Sequence, residues 1–206
     1  MLNPQDVWRI WAESWFRQDQ GILARRECWF GWSRQFDRHI RKRLLTYSLL
    51  ASEDSLKHWQ DSDLGVLVQV LLLDRVARKC FRGTVLAYEY DKKARRMARH
   101  AVEAQRHRRL PVVQSLFFVA PLLASDRLPD QELAQECLEA LQASARIRQD
   151  DAELIQLIDD LSLLAQRNAL VLQRYRRFPH RAAALGHGLS DAEKQFVANF
   201  AWQDWL

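Results

Sequence analysis

Hydrophobic residues recur at helical spacing along almost the whole chain. Trp8, Trp11 and Trp15 stand at positions i, i+3 and i+7, directly after Asn3 and Pro4, a pair typical of a helix start. No Asn-Gly turn of the kind that joins two strands lies between the periodic segments. The pattern therefore predicts an all-α protein.

One segment, from about Asp61 to Phe81, is apolar nearly all round. Its apolar residues are Leu64, Val66, Leu67, Val68, Val70, Leu71, Leu72, Leu73 and Val76. A helix that lacks a polar face is surrounded by other elements of the fold. We therefore expect a buried central helix near residues 61–81.

Caps and prolines predict further helices on both sides of this one. These helices are predicted at about residues 33–50, 92–105, 112–125, 130–144 and 150–178, and a last one begins at Ser190. Asp91 is expected to cap the helix at 92–105, and Pro121 to bend or stop the helix that contains it. Pro179 is expected to end the longest helix at Phe178.

The last helix should begin with a capping box, since Glu193 follows Ser190 by three residues. Phe200 and Trp205 belong to the apolar residues expected to close the fold. Residues 91–105 also share apolar spacing with 130–144, which favours stacked helical hairpins over a four-helix bundle. The expected fold is one domain over residues 1–206, an array of antiparallel helix pairs with about eight to ten helices.

Charge and hydropathy indicate which cellular compartment and which partners to expect for the protein. The net charge of +5 allows an acidic partner without requiring one. Acidic residues concentrate in 126–160, so the basic excess lies in 34–43, 75–109 and 174–181. The first residues do not resemble a signal peptide, and the longest apolar stretch, interrupted by Gln69, is too short to cross a bilayer. These features favour a cytoplasmic protein without a membrane partner; they do not indicate an oligomeric state.

Metal, cofactor and nucleophile motifs are missing from the sequence. Cys28, Cys80 and Cys137 are far apart and form no metal-binding pattern, so we expect small buried residues in a reducing compartment. There is no glycine-rich phosphate loop and no nucleophile elbow. No metal site and no cofactor are predicted.

Asp74 is the first candidate functional residue, because it ends the most apolar run of the chain. An unpaired carboxylate there would cost several kcal/mol. Arg78, at i+4, is the local candidate partner, and an arginine from residues 174–181 is the distant one. Asp74 either forms a structural ion pair between helices or orients Arg78 toward a ligand.

The turn that contains Arg177, His180 and Arg181 is the second candidate. Guanidinium groups match carboxylates and phosphates, and histidine titrates near neutral pH. Alternatively, these cations cap the carbonyl groups at the end of the preceding helix.

Several segments together resemble a bacterial family catalogued as domain of unknown function nine hundred twenty-four. They are WFGWSRQFDRHI, LLLDRVARKCFRG, AYEYDKKA, LFFVAPLLASDRLPDQE and RYRRFPHRAAALGHGLSDAEKQF. The resemblance implies a tetratricopeptide-like helical fold and no established activity. Asp74 and Arg78 match one family motif, and Arg177, His180 and Arg181 match another. The chain departs from the family pattern at Ala124 and Asn168, where histidines are expected, and at Ala182, where asparagine is usual.

Three functions follow as hypotheses. The first is a binding module whose basic groove takes an acidic small molecule, a peptide or a protein partner, with ligand contacts from Asp74, Arg78, Asn168, Arg177, His180 and Arg181. The second is an enzyme that acts on a phosphorylated or carboxylated molecule with His180 as acid or base. The third is nucleic-acid binding through residues 92–109, although a solvated basic face explains this segment better.

Overall fold

The computed structural model describes residues 1–17 and 19–199, and the regular structure in these ranges is helical throughout. The α-helices are α1 (Pro4–Ala12), α2 (Ile22–Trp29), α3 (Arg34–Ser52), α4 (Asp63–Leu71), α5 (Ala77–Cys80), α6 (Asp91–Glu103), α7 (Val112–Leu123), α8 (Leu128–Arg148), α9 (Ala152–Tyr175), α10 (Pro179–Ala184) and α11 (Asp191–Asn199). A π-helical segment, Leu72–Val76, joins α4 to α5 without a break. With that run counted as one, the described chain holds ten α-helices, which confirms the predicted class and number.

The continuous run α4–π–α5 is the central helix that the sequence predicts. Ser62 caps its start by accepting a hydrogen bond from the amide of Gly65, and each residue from Gly65 to Cys80 is buried. Helices α1, α6 and α7 pack on α4, while α3 packs along the π segment and α5. Neighbours on all sides account for the missing polar face.

An aromatic cluster closes one side of this core. Phe117 lies at its centre, with the rings of Trp8, Trp11 and Trp29 approaching edge-on at centroid distances of 5.5, 5.8 and 5.6 Å. Trp8 and Trp11 are buried as their spacing indicates, but Trp15 is half-exposed because α1 ends at Ala12.

Two predicted helix ends are wrong. Asp91 does not cap α6 but is its first residue, because its carboxylate is engaged by arginines from other elements. The longest helix ends at Tyr175, not at Phe178, because Arg176 takes a left-handed conformation with φ of 62° and its amide donates to the carbonyl of Leu172. Pro179 instead begins α10, the position where a proline suits a helix best.

The remaining helices pack in the order of the sequence, α6 on α7, α7 on α8 and α8 on α9. Pro121 is accommodated in the last turn of α7, two residues before the helix ends. Helix α2, which was not predicted, packs on α9. Ser190 and Glu193 form the expected capping box of α11, whereas Phe200 and Trp205 lie outside the described residues.

The cysteines are free thiols, with Cys80 and Cys137 buried and Cys28 half-buried. Burial raises the pKa of Cys80 and of Cys137 to about 12, which fits inert packing residues. None of the described helices has the length and apolar character needed to cross a membrane.

Candidate functional site

An open cavity of about 480 Å³ lies where the start of α6, the end of α7 and the turn from α9 to α10 meet. We call it the arginine cavity. Four predicted site residues line it: Asp74, Arg78, Arg177 and Arg181. The other lining residues among those described are Val85, Tyr88, Glu89, Asp91, Lys92, Arg95, Pro121, Ala124, Ser125, Asp126, Phe178, Ala182, Leu185 and His187.

Asp74 lies at the base of this cavity, 1% exposed, and two arginines of its own helix neutralise it. Arg75 donates to both carboxylate oxygens, at 2.6 and 3.1 Å, and Arg78 donates through Nε at 3.1 Å. Adjacent residues of an α-helix do not normally face each other. The π segment that contains Asp74 and Arg75 has a wider turn, and in it these neighbours pair.

Asp91 is the second carboxylate of the network. Its Oδ1 accepts a hydrogen bond from Nη2 of Arg78 at 3.0 Å, and its Oδ2 pairs with Nη2 of Arg181. Both guanidinium groups also lie against the ring of Tyr88, at 5.1 and 4.9 Å from its centroid. Asp91 therefore bridges two cations that come from different helices.

The distant partner predicted for Asp74 is wrong, because the arginines of the turn are used elsewhere. Arg181 pairs with Asp91 and donates to the carbonyl of Ala124 at 2.6 Å, beyond the end of α7. Arg177 forms a bidentate pair with Glu193, at 2.6 and 2.9 Å. The local partner Arg78 is confirmed.

Asn168 and His180 are not among the described residues that line the cavity. Asn168 is buried and donates to the carbonyl of Leu123, so it caps the end of α7. The ring of His180 packs against Phe178 at 5.6 Å between centroids. Burial lowers the pKa of His180 to about 4, so its imidazole is neutral at pH 7.

Positive charge exceeds negative charge in the buried network. Among the described residues, the guanidinium groups of Arg75, Arg78 and Arg181 form ion pairs with two carboxylates, those of Asp74 and Asp91. Burial, together with the nearby charge of Arg78, lowers the pKa of Arg181 to about 10. The network thus carries one positive charge in excess, in a partly desolvated place where charges interact strongly.

The walls of the cavity differ in polarity. Phe178, Ala182 and Leu185 supply an apolar side, while the polar side includes two cations of α6, Lys92 and Arg95, and the carboxylates of Glu89 and Asp126. The guanidinium of Arg95 lies 3.6 Å from the buried carboxylate of Asp130, which positions it. A ligand with an acidic group and an apolar part would match both walls.

Several cations of the basic segment 92–109 pair with neighbouring acids. Lys93 pairs with Asp54, and Arg99 pairs with Asp130. Arg106 and Arg109 share one partner, Asp63. Within the described ranges, no group of three residues could hold a metal ion.

Three further residues of the network, Arg75, Tyr88 and Asp91, were not predicted from the sequence. The position of Asp91 before the helix at 92–105 favours a helix cap, and no local pattern marks Arg75 as a partner of Asp74. The segment AYEYDKKA, which resembles the family, does contain Tyr88 and Asp91. The resemblance of that segment to the family was the sequence signal that could have indicated Tyr88 and Asp91.

Fold and cavity define an all-helical protein with a buried arginine–aspartate network at the base of an open cavity. The chain belongs to the bacterial family of unknown function DUF924, whose model, described as "Bacterial protein of unknown function (DUF924)", matches residues 11–200.

The solved structure of a protein of unknown function, ATU0120 from Agrobacterium tumefaciens, has a similar fold. The TM-score is 0.71 at 22% sequence identity, over 96% of this chain and 97% of the other. No curated protein matches the sequence significantly.

Proposed function

We propose that this protein is a cytoplasmic binding module of tetratricopeptide-like architecture, whose arginine cavity takes the acidic group of a small molecule or peptide. The observation that carries this proposal is the excess of guanidinium groups over carboxylates at the base of the cavity. Arginine presents several N–H donors in a planar fork, which suits carboxylates and phosphates.

Donor groups remain available for a ligand. Arg78 uses Nε and Nη2 in its pairs with Asp74 and Asp91, and Arg181 uses Nη1 and Nη2 with Ala124 and Asp91. Nη1 of Arg78 and Nε of Arg181 take part in none of these contacts. The cavity volume of about 480 Å³ falls within the usual range for small-molecule sites.

The experiment is calorimetric titration with inorganic phosphate, succinate and triglutamate, using a matched pair of variants. Lys92 and Arg96 are exposed cations one turn apart on α6, but only Lys92 lines the cavity. If one of the probes binds, Lys92→Ala should weaken its binding by about threefold or more, because this substitution removes a cation near the acidic group. Arg96→Ala removes the same charge outside the cavity and should leave the affinity within about twofold.

Binding that depends equally on both cations would reveal only general attraction to a positive surface and would contradict the proposal. So would the absence of binding for all three probes. The enzymatic alternative required His180 in the cavity, and its packing against Phe178 gives that alternative no support. The ion pairs along residues 92–109 likewise leave nucleic-acid binding without support.

A further inference from the structure

The carboxylate of Asp91 lies between the guanidinium groups of Arg78 and Arg181 in the arginine cavity. It contacts Arg78 through Oδ1 and Arg181 through Oδ2, as a bound carboxylate or phosphate would. Asp74, the other carboxylate of the network, is 1% exposed, whereas the side chain of Asp91 keeps 19% of its surface accessible. Of the two carboxylates in the network, Asp91 is therefore the one that an incoming anion meets.

We infer that Asp91 is a built-in competitor, which holds the place between Arg78 and Arg181 that the acidic group of the ligand takes when it binds. The inference rests on the proposed function and adds its regulation. Two anions between the same two cations would repel each other, so the ligand must displace the Asp91 carboxylate. The apparent affinity then equals the affinity of the site without the Asp91 carboxylate, multiplied by the fraction of molecules in which Asp91 has moved away.

The position of Asp91 in the fold makes this displacement feasible. It is the first residue of α6, a helix of 13 residues. A carboxylate that swings out from this position stays beside the helix N-terminus, where negative charge is favourable. No helical hydrogen bond has to break.

Removing the carboxylate should therefore open the site to small anions. Formate has the size of the group that Asp91→Ala deletes. Asp91→Ala should lose stability, because the guanidinium groups of Arg75, Arg78 and Arg181 are left with one carboxylate, and formate should restore it. We expect about 50 mM formate to raise the Tm of this variant by roughly 4 °C or more over sodium chloride of equal concentration, and to leave the wild type within about 1 °C.

A second buried carboxylate provides the matched control. Asp37 is 8% exposed and pairs with Arg82 at 2.6 Å and with Lys79 at 3.6 Å, but it is not a lining residue of the arginine cavity. Asp37→Ala should lose stability as well, yet formate should not restore it. Asp91→Asn keeps the shape of the side chain and removes its charge, so it should bind inorganic phosphate about tenfold more tightly than the wild type.

The outcomes separate this inference from the proposed function. If the wild type binds a probe with the expected dependence on Lys92, but formate fails to restore Asp91→Ala and Asp91→Asn gains no affinity, the inference is wrong and the proposed function stands. If the wild type binds no probe while Asp91→Ala responds to formate, Asp91 does occupy an anion site and the proposed function fails for the native chain. Equal rescue of Asp37→Ala, or Asp91 variants that stay unfolded even in formate or phosphate, would overturn the inference.

Discussion

Arg181 and Asp91 form an ion pair that fastens the turn after the longest helix to the first residue of α6. The same guanidinium donates to the carbonyl of Ala124, so one side chain ties three elements together at the cavity. This arrangement makes Arg181 both a structural residue and a wall of the cavity, and its two roles can be measured separately.

Replacing Arg181 by leucine should reduce the free energy of unfolding by about 3 kcal/mol, because it breaks a largely buried pair and leaves a carbonyl group without its donor. Urea denaturation measures the change. Arg167→Leu, at an exposed position of α9, should stay within about 0.5 kcal/mol of the wild type. Equal effects of the two substitutions would show that the pair contributes no stability.

Asp74→Asn should be more damaging than a comparable change at a surface pair. Burial raises the pKa of Asp74, but Arg75 and Arg78 outweigh it and lower the pKa on balance. Loss of the charge leaves buried guanidinium groups uncompensated, at a cost of about 3–5 kcal/mol in urea denaturation. Asp63→Asn, at a half-exposed carboxylate that pairs with Arg106 and Arg109, should cost less than about 1 kcal/mol.

The ion pairs of Asp74 with Arg75 and Arg78 also predict how the stability of the protein changes in acid. The folded-state pKa of Asp74 lies below its unfolded value, so its contribution is present above the unfolded pKa and lost as the pH falls through the folded pKa. The difference in stability between wild type and Asp74→Asn should shrink in that range. A constant difference down to strong acid would contradict this account.

Lys79 predicts a stability change at alkaline pH. Lys79 is 5% exposed, its ammonium group donates to the carbonyl of Gly31 at 2.6 Å, and burial lowers its pKa to about 7. Between pH 7 and 10 the unfolded chain binds the extra proton, so the wild type should gain roughly 3 kcal/mol relative to Lys79→Met. Thermal and urea unfolding across this range measure the gain. The exposed control Lys57→Met should follow the wild type.

His180 predicts a change on the acidic side. Because burial lowers its pKa to about 4, the unfolded chain takes up a proton first as the pH falls from 6.5. The wild type should lose roughly 2 kcal/mol between pH 6.5 and 4 relative to His180→Leu. The exposed His58→Leu should leave the profile unchanged. A wild-type profile parallel to that of His180→Leu would mean that the imidazole is not buried in solution.

The periodicity of apolar residues predicted the helices that bury one face and the central helix, which is buried on all faces. The central helix was evident because few polar residues interrupt residues 64–76. Helix α2 was missed because Trp29 is its single buried residue, so no apolar stripe marks it. The end at Tyr175 was missed because a left-handed Arg176, an uncommon residue for that conformation, ends the helix before the proline does.

In the candidate site, the contact within one helix was predictable from the sequence, whereas the contacts between helices were not. The pair of Asp74 and Arg78 was predictable because a spacing of four residues along a helix places two side chains together. The partners of Asp91 were not, because they depend on how α5 and α10 pack against the start of α6. Local sequence favours a capping role for an aspartate at such a place, and the tertiary contacts override that preference.

The π segment sets the rotational phase between the two halves of the central helix. α4 faces α6 and α7, whereas α5 faces α3, and Leu72–Val76 lies between them. Deleting one residue from this segment would turn α5 by about 100° relative to α4 and shorten the run by about 1.5 Å. Arg78 would then point away from Asp91 although no side chain of the network had changed. The number of residues in this stretch is therefore as tightly constrained as their chemistry.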